Sequence, residues 1–148
     1  MINTINGDKR NYNTILEASG STLSGTTEYS GLIVQMRLGE NASKGDLMYI
    51  DSTGKIKNSD ASSSSTLPAF AIMCDDGYTD NLQFVLLQGF MLNTSWSWTT
   101  GSILYASLTT GELTETKPTS TGDYVQVIGI ATSSTTIYFK PDLTYIQN

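Results

Sequence analysis

From Ser30 to the C-terminus no stretch carries the 3.6-residue apolar period of an amphipathic helix. Short runs rich in Val, Ile, Leu, Tyr and Thr alternate instead with Gly, Asp, Asn and Ser. Such punctuation leaves room for strands and tight turns only, and it predicts an all-β fold, a compact antiparallel β-barrel or sandwich of roughly eight to ten strands. GLIVQMRL, residues 31–38, alternates so that Gln35 and Arg37 face away from Val34, Met36 and Leu38. Leu47 to Ile50 and Lys55 to Lys57 flank Asp51-Ser52-Thr53-Gly54. There Asp bonds the turn backbone and Gly supplies a positive φ, which makes a hairpin. The serine run 61–66 reads as a surface loop, and Ala69 to Met73 as a strand of small residues. Leu82 to Leu92 is apolar at nearly every position, so it is expected at the centre with both faces against protein. Gly89 marks a bulge or a close backbone approach. Ile103 to Ala106, Glu112 to Glu115, Tyr124 to Ala131 and Thr135 to Lys140 complete the strands, without a fixed-period repeat.

Residues 1–29 differ in texture. Asn, Ser, Thr and Gly dominate, and the apolar points are too sparse for a core, which predicts an extended N-terminal arm or attachment segment ahead of a β-rich domain, 30–148. Asn13 to Ala18 could form one helical turn, and Lys9-Arg10 could meet an acidic surface.

Composition narrows the chemistry. The 148 residues include no His and one Cys, so a Ser-His-Asp or Cys-His couple, His-ligated metal and an internal disulfide are excluded. No enzyme activity and no cofactor are expected. Charged residues make up 15% of the chain against the roughly 25% of an ordinary soluble domain, and Ser and Thr take their place. A net charge of -6 with scattered Lys and Arg gives no phosphate-tracking surface, which argues against nucleic acid and anionic membranes as partners. No apolar run approaches the roughly 20 residues of a membrane span, and MINTINGDKRNYN lacks an apolar h-region behind a basic start. The expectation is therefore synthesis in a cytoplasm, without membrane insertion.

Four constellations have competing readings. Asp75, Asp76 and Asp80 with Gly77 offer hard oxygen ligands, but their spacing does not fit a calcium loop, and a turn whose aspartates bond their own backbone is favoured. Glu112 and Glu115 are a carboxylate pair on an expected exposed hairpin, read as surface charge guarding a strand edge rather than as an acid/base pair. Cys74 is read as a small buried hydrophobe. Trp96 and Trp98 in SWSWTTG stand two apart and project to one side of an extended chain. They form a sugar platform, seal a barrel end, or meet a neighbouring subunit. Packing or subunit contact is the favoured reading.

From Gly45 to about Tyr145 the order of elements is distinctive: GDLMYIDSTGKIKNSDA, then PAFAIM, then VLLQGFMLNTSWSWTTGSILYASLTTGELTETKPTSTGDYVQVIGIATSSTTIYFKPDLTYI. It resembles a module recurrent in tailed-bacteriophage virion proteins, in head-decoration and head-fibre proteins and in the C-terminal parts of fibre-like proteins. The resemblance implies a small, β-rich, self-associating and non-enzymatic virion component, commonly a homotrimer. Such a subunit would be made in the bacterial host cytoplasm and would dock on the major capsid protein or another virion protein. It does not cover the arm. A second expectation is a tail-associated adhesin or carbohydrate-binding module that recognises a bacterial surface polysaccharide, a host glycan, through Trp96 and Trp98.

Overall fold

The computed structural model describes residues 28–148. The fold is all-β and antiparallel, a strongly curled half-barrel sheet. Eleven strands are present among the described residues: β1 Tyr29–Arg37, β2 Leu47–Ile50, β3 Ile56–Asn58, β4 Ala71–Met73, β5 Leu82–Leu92, β6 Ile103–Ala106, β7 Leu113–Thr114, β8 Tyr124–Val125, β9 Val127–Ala131, β10 Thr136–Phe139 and β11 Ile146–Gln147. The main sheet runs β3-β2-β4-β5-β10-β9-β6-β7, and β8 pairs with β11 separately. No helix among the described residues is long and apolar enough to cross a membrane.

β5 organises the molecule. One edge pairs with β1 from Tyr29↔Met91 to Arg37↔Leu82. The other edge is divided, since β4 pairs at Val85 and Leu86 while β10 takes Gly89 to Leu92. Between these halves the register against β1 slips, with Leu32 opposite Gln88 but Ile33 opposite Leu86. Leu87 is therefore an extra residue, and a bulge of this kind reverses which residues face which side. Leu86 before it and Met91 after it both enter the main core, together with Leu47, Ile72, Leu104, Ile128, Ile137 and Phe139. Val85 joins a second core on the opposite face with Leu38, Met48, Ile56, Ala71 and Met73. The second core is nearly a barrel of its own. Leu38 at the end of β1 bridges to Ile56, and Gly39 N–H donates to the Ile56 carbonyl at 2.8 Å, so β3-β2-β4-β5-β1 closes on itself.

This arrangement bears out a central β5 and qualifies its burial. Leu82 and Phe84 are 52% and 43% exposed. They lie on the face that the main core covers only from Leu86 onward, so apolar character at every position does not mean cover at every position. Gly89 marks a close approach: a Cβ there would stand 2.1 Å from the Ser30 carbonyl oxygen. The hairpin at Asp51 forms as expected, with the Asp51 carboxylate accepting from Thr53 N–H at 2.8 Å. The serine run is not wholly exposed, because Ala61 is buried in the main core and residues Ser64–Thr66 form a 3₁₀ turn.

Two boundaries differ from the sequence reading. Glu28 and Tyr29 belong to the sheet rather than to an arm, since the Glu28 carbonyl accepts from Leu92 N–H at 2.6 Å and Tyr29 pairs with Met91. The rest of the expected arm, including Lys9-Arg10 and the turn at Asn13 to Ala18, lies outside the described residues. The expected single strand from Tyr124 to Ala131 is broken at Gln126, whose side chain is fully buried. Its Oε1 accepts from Ala69 N–H at 2.9 Å, and its Nε2 donates to the carbonyls of Ala69 and Asp142, each at 2.7 Å. An amide side chain here does the work of a strand partner.

Candidate functional site

The turn after β5 carries the two tryptophans. Asn93 starts it as an Asx turn, its Oδ1 accepting from Ser95 N–H at 3.1 Å and from Ser95 Oγ at 2.7 Å, and Trp96 N–H donates to the Asn93 carbonyl at 3.1 Å. Trp98 N–H donates to the Ser134 carbonyl at 2.8 Å, which ties the loop to the β9–β10 connection. Glu115 ties it on the other side by accepting from Thr99 N–H and, at 3.3 Å, from Thr99 Oγ1. Glu115 is therefore a half-buried anchor of this loop and not surface charge, a role that its flanking Thr residues gave no means of reading.

Both indoles are half-buried and pack against the main core, with ring centroids 5.7 Å apart and planes inclined at 49°. They do face one side, but the inclination makes a corner rather than a flat shelf. The Nε1 of Trp98 is buried and has no hydrogen-bond partner among the described residues.

Beside this corner lies a cleft of about 380 Å³. Three turns form it: the Trp loop, the Lys44-Gly45-Asp46 turn before β2, and Gly111-Glu112 at the start of β7. Two glycines let these turns meet. A Cβ on Gly45 would come within 3.1 Å of the Trp96 ring and 2.9 Å of Asn93 Nδ2, and one on Gly111 within 3.2 Å of Asp46 Oδ1. Both have positive φ, 87° and 80°, so glycine is required twice over.

Asp46 is the central polar group. Its Oδ2 accepts from Ser43 N–H at 2.8 Å, and its Oδ1 has no partner among the described residues. Burial holds its carboxyl above the usual carboxylate range against the opposing Ser43 bond, and Asp76, Glu112 and Glu40 add repulsion. Lys44 does not neutralise it, because its ammonium is paired with Glu28 at 2.5 Å. The sequence marked Asp46 only as a turn residue and did not single out Asn93. Their meeting depends on contacts between turns some fifty residues apart.

The other sequence candidates are dispersed. Asp76 accepts from Lys44 N–H at 2.8 Å, Asp80 pairs with Lys55, and Asp75 is exposed. Among the described residues no group of three His, Cys, Asp or Glu side chains is placed to hold a metal ion. Cys74 is fully buried and burial pushes its thiol up to about 12, which leaves it an inert core residue. The fold and site together define an all-β protein with an aromatic and acidic cleft at the junction of three turns. No known family model matches the chain, and neither does any curated protein sequence.

Proposed function

We propose that this protein is a non-enzymatic virion component of a tailed bacteriophage, a head-decoration or head-fibre subunit that associates with copies of itself as a homotrimer and docks on the capsid shell. The observation that carries the reading is an uncharged apolar strip on the outer face of the sheet. Beyond the bulge at Leu87, no second sheet among the described residues lies over the side opposite the main core. There Phe90, Tyr138, Ile130 and Ile103 lie opposite one another across β5, β10, β9 and β6. Leu32 on β1 extends the strip, and the rings of Phe90 and Tyr138 stand 5.1 Å apart. Leu32 is 59% and Ile103 43% exposed. Phe90 between them is buried, with Tyr138 packed against it, so the exposed apolar surface lies at the two ends of the strip, and exposed apolar patches mark interaction sites.

A second copy of the chain is the occupant that the electrostatics favour. The whole chain carries a net charge of -6, so identical subunits repel unless they meet through a face without charge, and these five residues supply one. Capsid docking then repeats each weak contact many times, so that avidity replaces individual affinity. The phage part of the reading rests on the resemblance of the motif order from Gly45 to about Tyr145 to tailed-phage virion proteins.

Multi-angle light scattering at micromolar concentration tests it. The expected mass is three times 16.0 kDa. The exposed-site double variant Leu32→Glu with Ile103→Glu should be monomeric with an unchanged circular dichroism spectrum. A monomeric parent chain, or a double variant that stays trimeric, would overturn the proposed interface. Electron microscopy of assembled particles then locates the subunit.

A further inference from the structure

We infer that the cleft between Trp96, Asn93, Asp46 and Glu112 binds a neutral saccharide. The argument is independent of the oligomeric reading, because the cleft lies by the main core and the self-association strip lies on the opposite face of the sheet.

A pyranose ring presents an apolar C–H face and a rim of hydroxyls, each both donor and acceptor. A site for it needs an aromatic surface, at least one fixed acceptor and one fixed donor near the ring edge, and little mobile chain. The cleft has each of these. The Trp96 ring forms its wall, half-buried and held against Gly45. The acceptor is Asp46 Oδ1, whose partner oxygen is already fixed by Ser43 N–H. The donor is Asn93 Nδ2, whose own Oδ1 is fixed by Ser95. Both polar groups are thus oriented before a ligand arrives, which limits the ordering cost of binding. Glu112 adds an exposed acceptor at the rim.

Charge selects among saccharides. Asp46 and Glu112 line the cleft, Asp76 and Glu40 stand near enough to act on Asp46, and the nearby Lys44 ammonium is engaged by Glu28. A uronate or sialate would meet net repulsion here, whereas neutral hexoses and N-acetylhexosamines would not.

The intact chain should be applied to an array of neutral and anionic oligosaccharides, and the strongest neutral binder titrated by tryptophan fluorescence, with maltotetraose, chitotetraose and tetragalacturonate as fixed probes. Two isosteric variants are diagnostic. Asp46→Asn keeps an acceptor for Ser43 and removes the charge, and Asn93→Asp keeps the acceptor for Ser95 and removes the donor. Retention of neutral glycans is expected, with affinity falling on the order of tenfold or more in each variant while melting temperature and oligomeric mass stay as in the parent. The proposal is overturned if no neutral glycan is retained, if only anionic ones are, or if both variants bind as the parent does. Because oligomeric mass is recorded on the same samples, failure of this site and failure of the trimer are separate results.

Discussion

At the residue scale, polar side chains perform backbone tasks. Gln126 satisfies both main-chain groups of Ala69 as well as the Asp142 carbonyl, so Gln126→Ala should leave buried amide groups unpaired and lower stability by about 3 kcal/mol, measured by urea denaturation. Trp98 presents the reverse case, a buried N–H with no partner among the described residues. Trp98→Phe should therefore stay within about 1 kcal/mol of the parent, since it removes an unsatisfied donor, whereas Trp98→Ala opens a void in the main core and should cost about 3 kcal/mol. Asp51 adds a pH dependence. Its carboxyl is lowered from 3.8 to about 2, chiefly by the Thr53 hydroxyl bond, with Thr53 N–H, Lys57 and Lys55 N–H adding to it. A depressed carboxylate stabilises the fold above its unfolded pKa, and that contribution disappears as pH falls from 3.8 through about 2. The melting temperatures of the parent and Asp51→Asn should differ at pH 6 and converge near pH 2.

At the scale of elements, β5 shows how far pattern reading extends. Its apolar run signalled a central strand, and Gly89 signalled a close approach, for a local reason: only glycine lets the Ser30 carbonyl come so near. Gly89→Ala should cost about 3 kcal/mol. Gly54→Ala, at φ 81° with open space around it, should cost only the strain of a left-handed alanine, about 1 kcal/mol. Thermal melts of the pair separate steric approach from backbone strain. Gly89 was also read as a possible bulge, but the bulge falls two residues earlier at Leu87, where Leu fits either face and only pairing with β1 on one side and with β4 and β10 on the other selects the slip. Gln126 likewise stood unmarked within an expected continuous strand, and its bonds to Ala69 and to the distant carbonyl of Asp142 are what hold it inward.

For the whole molecule, two cores share one strand. The main core and the small barrel meet at Val85 and Leu86, neighbours on β5 that point to opposite faces. Unfolding either core must therefore release the strand that the other requires. Val85→Ala, in the small barrel, should destabilise by about 2 kcal/mol. It should shift tryptophan fluorescence, which reports only the main core, and far-ultraviolet circular dichroism by the same amount. Fluorescence that held while the dichroism signal changed would show two separable units.

Strand periods, turn residues and the want of any helical pattern determined by themselves that this chain is all-β, that β5 is central and that Asp51 to Gly54 is a hairpin turn, because each depends on φ/ψ preferences and side-chain alternation within a few residues. The absence of any histidine in the sequence also excluded histidine chemistry outright. Tertiary structure alone decided which residues share the cleft. Asp46, Asn93 and Glu112 come from three turns, brought together by sheet curl and by the absence of side chains at Gly45 and Gly111. It alone also placed Phe90 and Leu92 in a small cluster of their own on the outer face, since the bulge at Leu87 turns Phe90 away from the main core, and left Leu32 and Ile103 exposed on that face. Such placements are set by contacts across many tens of residues, where the local periods that betray a strand carry no information about its neighbours.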